Sequence, residues 1–293
     1  MICKVALVVI AAALATPGWA ADRHQMSGLV VEVDAASRTV VVSHDAVPGV
    51  MPAMTMPFAV RNGALLEALK PGAMIEFTLV VDGEASFVES IRIRGYESFE
   101  QKPFELRRLT QLNRLVNPES AAAAVAVDQP MLDFSLIDQA GSPVSLASLK
   151  GRIVVVTFGY LRCSNPAYCF RLASNLGHLQ KRYASALGRD IVLLTIVLDP
   201  EHDRDGALRD YARVWTSRPG TWHFLTGPLP DVARVAALFG VEFWKDEGSI
   251  VHTLKTAVID RDSRLAATID GNQYTVQQLD DLVAGLLKRS SKH

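Results

Sequence analysis

From Gly28 onward, apolar and polar positions alternate with the two-residue period of a half-buried strand. Leu29-Val30-Val31-Glu32-Val33 is followed by a turn over 34–38 and then by Thr39-Val40-Val41-Val42-Ser43-His44, which predicts a hairpin. Strands are predicted again over 56–60, 75–81 and 87–94, with Pro71-Gly72 and Asp82-Gly83 as turns. Closing such short strands on themselves hides their edges, so residues 21–95 predict a small all-β, five-stranded, OB-like barrel.

The alternation is lost over 96–128, where Glu97, Glu100, Lys102, Glu105, Arg107 and Arg108 precede Ala121-Ala122-Ala123-Ala124. That stretch reads as a partly helical linker. Beyond it the period changes. Ile153-Val154-Val155-Val156-Thr157-Phe158 is continuously apolar, as a strand covered on both faces would be. Leu172, Leu176 and Leu179 then form one helical stripe. A second buried strand is predicted over 191–198, followed by a helix carrying Leu208, Tyr211 and Trp215 on one side. A hairpin follows over 254–259 and 265–269. The last helix starts at Thr275 with Gln278 at capping-box spacing, and buries Val276, Leu279, Leu282, Val283 and Leu286. Alternating β and α ending in a hairpin and a helix predicts an α/β thioredoxin-like domain over 129–289.

Composition adds a compartment. The 293 residues are 49% hydrophobic and 21% charged, ordinary globular values. Lys4 precedes an apolar stretch over 5–15, and Pro17-Gly18-Trp19-Ala20 supplies small residues for cleavage after Ala20. Residues 1–20 therefore read as a signal peptide and the protein as exported to the periplasm; the stretch is short for a membrane span, which leaves an anchored form as the alternative. The formal charge is -1, and loss of Lys4 makes it one unit more negative. With no basic patch, nucleic acid is excluded as a partner. Cys3 leaves with the leader, so the mature chain keeps Cys163 and Cys169, which composition alone reads as a structural disulfide.

The first candidate site is a methionine cluster. Met51, Met54 and Met56, three of the chain's seven methionines, fall within six residues, bracketed by Pro52 and Pro57. Met54 and Met56 share a face of an extended segment. Thioethers are soft, uncharged donors suited to Cu(I), and His44 at the end of the preceding strand can complete the set. The competing reading makes these methionines core filler and His44 a solvated strand end. The segment 28–94, with His44 and the Ala53-Met54-Thr55-Met56-Pro57-Phe58 run, resembles the CusF-type periplasmic copper-binding proteins. That resemblance implies a five-stranded barrel binding Cu(I) through His44, Met54 and Met56. Where the family often has a capping tryptophan this chain has Met51, a candidate fourth ligand.

The second candidate site joins Cys163, just past the strand over 153–158, with Cys169 and His252. Open α/β sheets gather ligands at that end of their strands. Two thiolates and an imidazole form a soft set suited to copper: Cu(I), or Cu(II) as the alternative. The alternatives are a permanent disulfide, a redox pair without metal, and a solvated His252. A bond closing so short a loop stabilises little, which weakens the first of these. Phe134-Ser135-Leu136, 151–160, the cysteines, Leu198-Asp199-Pro200, Asp203-Arg204-Asp205, Leu225-Thr226-Gly227 and His252 together resemble the Sco/SenC family over nearly all of 130–287. Members are thioredoxin-fold copper chaperones that supply cytochrome c oxidase, and some act as thiol reductants. By that resemblance Cys163, Cys169 and His252 carry copper. The family's cysteine pair has three intervening residues with proline after each cysteine; here there are five, with Ser164 and Phe170 in the proline places.

The expected function is thus a periplasmic metallochaperone rather than an enzyme. It would pass copper to a copper-receiving subunit of cytochrome c oxidase or another periplasmic cuproprotein. The rivals are a thiol-disulfide oxidoreductase and a copper-scavenging resistance protein. The acidic run over 199–205 is read as a loop and helix start capping exposed N–H groups. His24, His178, His202 and His223 are read as surface or packing residues.

Overall fold

The computed structural model describes residues 21–96, 111, 124–163, 166–246 and 248–289. The expected leader over 1–20, most of the expected linker over 96–128, and Ser164 and Asn165 between the cysteines lie outside the described residues.

The first domain is one antiparallel sheet of β1 (Asp22–Asp34), β2 (Thr39–His44), β3 (Met54–Ala59), β4 (Met74–Asp82) and β5 (Ala85–Ile93), in the order β3-β2-β1-β4-β5. Its ladder does not close. The two edges approach through a single parallel bridge, Val60 to Val88, so closure is looser than the predicted barrel. Met26, Val30, Val42, Phe58 and Phe77 fill the concave side. A bulge between Val30 and Glu32 leaves Val31 outside the β1–β2 pairing. Leu29 and Val31 turn the other way, into the second domain's core.

In the second domain a small hairpin of β6 (Ser135–Ile137) and β7 (Pro143–Ser145) precedes the main elements. These are β8 (Ile153–Gly159), α1 (Arg171–Arg182), β9 (Ile191–Val197), α2 (Asp205–Trp215), β10 (Trp222–Leu225) and α3 (Leu229–Leu238). A hairpin of β11 (Phe243–Asp246) and β12 (Ser249–His252) follows, then β13 (Lys255–Ile259), β14 (Leu265–Asp270) and α4 (Val276–Arg289). The sheet order is β10-β9-β8-β13-β14; β8, β9 and β10 run parallel, and β13 is antiparallel to both β8 and β14. Every residue of β8 and β9 is buried, as their apolar runs require. Leu172, Leu208 and Leu279 cover one face of the sheet, and Val232 and Val235 of α3 the other, giving a thioredoxin-like α/β layering.

Helix α4 opens with the predicted capping box: Gln278 N–H donates to Thr275 Oγ1 at 3.1 Å and Thr275 N–H to Gln278 Oε1 at 2.8 Å. The same helix is where the domains meet. Leu29 and Val31 join its Leu279, Leu282 and Val283 in one core, and a Cβ on Gly285 would sit 3.3 Å from Val31 Cγ1. At the rim Gly72, at φ +92°, lies so close to β14 that a Cβ there would stand 2.3 Å from the Thr268 carbonyl oxygen.

Candidate metal centres

In the first domain the register sets His44 directly opposite Met54, and Val42 opposite Met56. With side chains alternating along each strand, His44, Met54 and Met56 share the concave face at the sheet's open end. Exposure rises toward the rim, from buried Phe58 through half-buried Met56 to Met54 at 46%. The His44 ring is only 2% exposed and meets the Phe58 ring edge-on, 5.8 Å between centroids. Its Nδ1–H donates to the Asp45 carbonyl at 2.8 Å, which leaves Nε2 as the ring nitrogen open to another partner. That Nε2 is buried with no hydrogen-bond partner. Buried polar atoms are ordinarily hydrogen-bonded, so this unpaired nitrogen, on the strand face it shares with Met54 and Met56, marks the three as a candidate soft-metal set. A Cβ on Gly28, which faces His44 across β1 and β2, would approach the Ser43 carbonyl to 2.5 Å, so only glycine lets the strands close here. Met51 lies in the turn between β2 and β3, bonded to Val47 through both backbone groups, and packs half-buried on the same core as Met56.

In the second domain Cys163 follows the end of β8. Cys169 lies in a π-helical turn, Pro166–Phe170, that leads into α1. His252 ends β12, whose hairpin with β11 sets it opposite Phe243. The Cys169 Sγ and His252 Nε2 are 3.8 Å apart, and His252 Nδ1–H donates to the Thr253 carbonyl at 3.0 Å, the same tautomer-fixing device as at His44. Burial lowers the His252 imidazole from its ordinary value, partly offset by the hydrogen bond to the Thr253 carbonyl. A hydrogen bond with Cys163, burial and the charge of Cys163 push the Cys169 thiol far up. Among the described residues neither cysteine is in a disulfide; Cys163 is half-exposed and Cys169 buried. The structure thus joins Cys163 to Cys169 and Cys169 to His252, while among the described residues no three His, Cys, Asp or Glu side chains are gathered around one point.

Several neighbours were not legible as part of this site. Tyr160 meets the His252 ring edge-on at 6.2 Å, and burial followed by the Cys163 charge raises its phenol. The acidic run departs from its expected capping role: Arg204, not an aspartate, stands at the N-cap of α2, and no side chain caps that end. Asp199 and Asp203 turn inward instead. Asp203 Oδ2 accepts from the Leu161 N–H at 2.7 Å and Asp199 Oδ2 from Arg162 Nη2 at 2.6 Å, gripping the two residues before Cys163. Burial pushes the Asp199 carboxyl up, but hydrogen bonds from His202 and Arg162 outweigh it and leave the group below its usual range. His202 and His223, read as surface or packing residues, pair with Asp199 at 2.9 Å and with Asp138 at 3.0 Å. The spacing of Asp199 and Asp203 could have been read as two inward residues one turn apart.

Among the described residues no helix is long and apolar enough to cross a membrane. Residues 123–287 match the SCO1/SenC family model, and residues 23–93 match that of the copper binding periplasmic protein CusF. An SCO1 protein homolog from Bacillus subtilis is 26% identical over 162 residues, which is 54% of this chain and 81% of that protein. A protein from Stutzerimonas stutzeri described as copper-binding is 28% identical over 184 residues, 59% of this chain and 84% of its own. A solved structure of a SCO1/SenC family lipoprotein from Bacillus anthracis aligns with TM-score 0.49 and 24% identity, covering 57% of this chain and all of that one. With its family match spanning more than half its length, on a thioredoxin-like sheet carrying Cys163, Cys169 and His252 at one end, the chain belongs to the SCO1/SenC family, preceded by a CusF-type domain.

Proposed function

We propose that this protein is an exported copper carrier that holds Cu(I) at His44, Met54 and Met56 and a second copper ion at Cys163, Cys169 and His252. It passes copper by ligand exchange to a receiving periplasmic cuproprotein, of which a cytochrome c oxidase subunit is the leading candidate. The observation that carries the reading is the shared histidine device. In each domain a backbone carbonyl accepts the Nδ1–H bond and leaves Nε2 for another partner: at His252 it lies 3.8 Å from Cys169 Sγ, and at His44, directly opposite Met54, it is buried and unpaired. Soft sulfur and neutral imidazole donors select copper over calcium or magnesium. Cu(II) is the alternative occupant of the second site, and Met51 adds a fourth donor to the first. In transfer the incoming protein's ligand displaces one sulfur at a time, and no free ion is released. Copper stoichiometry of the reduced protein tests this. Two ions per chain are expected, falling to one in Cys163→Ser/Cys169→Ser and to one in His44→Ala; an unchanged count in either variant removes that site.

A second reading has support in one asymmetry: Cys163 is half-exposed while Cys169 is buried and held as a thiol. That is the arrangement of an attacking and a resolving cysteine in a thiol-disulfide oxidoreductase. Under it, His252→Ala retains most reductase activity toward a disulfide substrate, whereas copper binding at the second site is lost.

A further inference from the structure

We propose that α4 of the second domain is a positioning element for the first copper centre, holding His44, Met54 and Met56 from the opposite side of their strands. The inference rests on the copper reading of those three residues. Ser43 and Thr55 stand directly opposite one another across β2 and β3. Ser43 precedes His44, and Thr55 lies between Met54 and Met56, so alternation turns both hydroxyls away from the donor face. Both donate to one atom, Asp281 Oδ2, at 2.7 and 2.6 Å. The other oxygen of Asp281 accepts from Gln277 Nε2 at 2.8 Å, which fixes the carboxylate. One turn earlier, Gln278 Nε2 donates to the Ser43 carbonyl at 3.3 Å and to Asp45 Oδ1 at 3.2 Å, so the residues on both sides of His44 are held. Gln278 is itself immobile, 2% exposed and committed to the capping box.

The need for such a grip follows from topology. Strand β3 is a sheet edge with a ladder only to β2, and Met54 at its start is well exposed. A donor on a fraying edge spends part of its time out of reach, and metal sites tolerate only about 0.5 Å of misplacement. A single carboxylate oxygen bonded to both strands, at the row between His44–Met54 and Val42–Met56, locks the spacing of the donors. Coupling of this kind is reciprocal, so copper at the first centre tightens α4 in return.

The test uses the full chain carrying Cys163→Ser and Cys169→Ser, so that only the first centre reports, with Cu(I) partitioned against bicinchoninate. Asp281→Ala is expected to weaken Cu(I) binding about fivefold and to speed its release. Asp281→Asn keeps a carbonyl oxygen within reach of both hydroxyls and is expected to stay within about twofold of the parent. Ser43→Ala/Thr55→Val approaches the same contact without altering the helix; it should match the Asp281→Ala loss, and combining the two should add nothing further. Amide exchange in α4 is expected to slow on Cu(I) addition in the parent and not in Asp281→Ala. Parent affinity in Asp281→Ala, with binding abolished by His44→Ala, overturns the positioning role and leaves the copper reading intact. So does a loss in Asp281→Ala that Ser43→Ala/Thr55→Val does not share. A parent that binds no Cu(I) overturns the copper reading and this inference with it.

Discussion

Asp203 shows how a single buried side chain can be set to serve a loop at a cost to itself. It is 1% exposed, and its carboxylate accepts the Leu161 N–H two residues before Cys163. Burial raises its pKa above the ordinary 3.8, and the nearby Asp199 charge adds to the shift. A carboxyl raised by folding stabilises the fold in its protonated form, and that contribution is lost as pH climbs from about 3.8 through the raised value. Asp203→Asn keeps an oxygen for Leu161 and removes the charge. Its stability relative to the parent should therefore improve as pH rises from 4 toward 7, read as urea midpoints across that range. Asp203→Ala leaves the amide unpaired and should cost about 1–3 kcal/mol at pH 7. A flat difference between the Asn variant and the parent across that range would show that Asp203 carries no burial penalty.

At the scale of elements, the close approach of the turn before β4 to the β14 backbone is a tight constraint. Gly72→Ala adds a Cβ both to a left-handed backbone and against the Thr268 carbonyl. The strain alone costs about 1–2 kcal/mol, and the clash must separate the domains locally. A drop in melting temperature, with increased proteolysis between the domains, is expected; parent behaviour would mean that the turn can move away freely. The elements themselves were unevenly legible. Strand β2 and the α4 capping box could be read from residue type alone, because Thr39–His44 is rich in β-branched residues after a turn and Thr275 and Gln278 have their local partners. Strand β10, helix α3 and the β11–β12 hairpin could not, since Trp222, Phe224 and Val232 owe their burial to long-range packing rather than to a local period. Thus His252 was legible as a candidate ligand, but not the hairpin that delivers it. The three candidate donors of the first site could be picked out in sequence because they lie within one β2–β3 hairpin.

At the scale of the molecule, two domains expected on a tether share one core. The Leu29-Val30-Val31 run, read in sequence as one strand of a half-buried hairpin, is instead covered on both faces, with Val30 in the first domain's core and Leu29 and Val31 in the second's. Calorimetry of the copper-free protein should accordingly show one cooperative transition, and Val31→Asp, a charge placed where exposure is 4%, should split it into two. Two transitions in the parent would mean that the domains fold independently. The centres carried by this single body also differ in electrical character. One offers only uncharged donors around a nitrogen closed off from water. The work of moving an ion into so dry a place grows with the square of its charge, and the Asp281 carboxylate bonded to Ser43 and Thr55 lies on the other face of the strands. On the copper reading proposed above, that pocket should discriminate by valence before element: silver(I), monovalent and indifferent to oxidation, is expected to displace Cu(I) in a competition titration, and zinc is not.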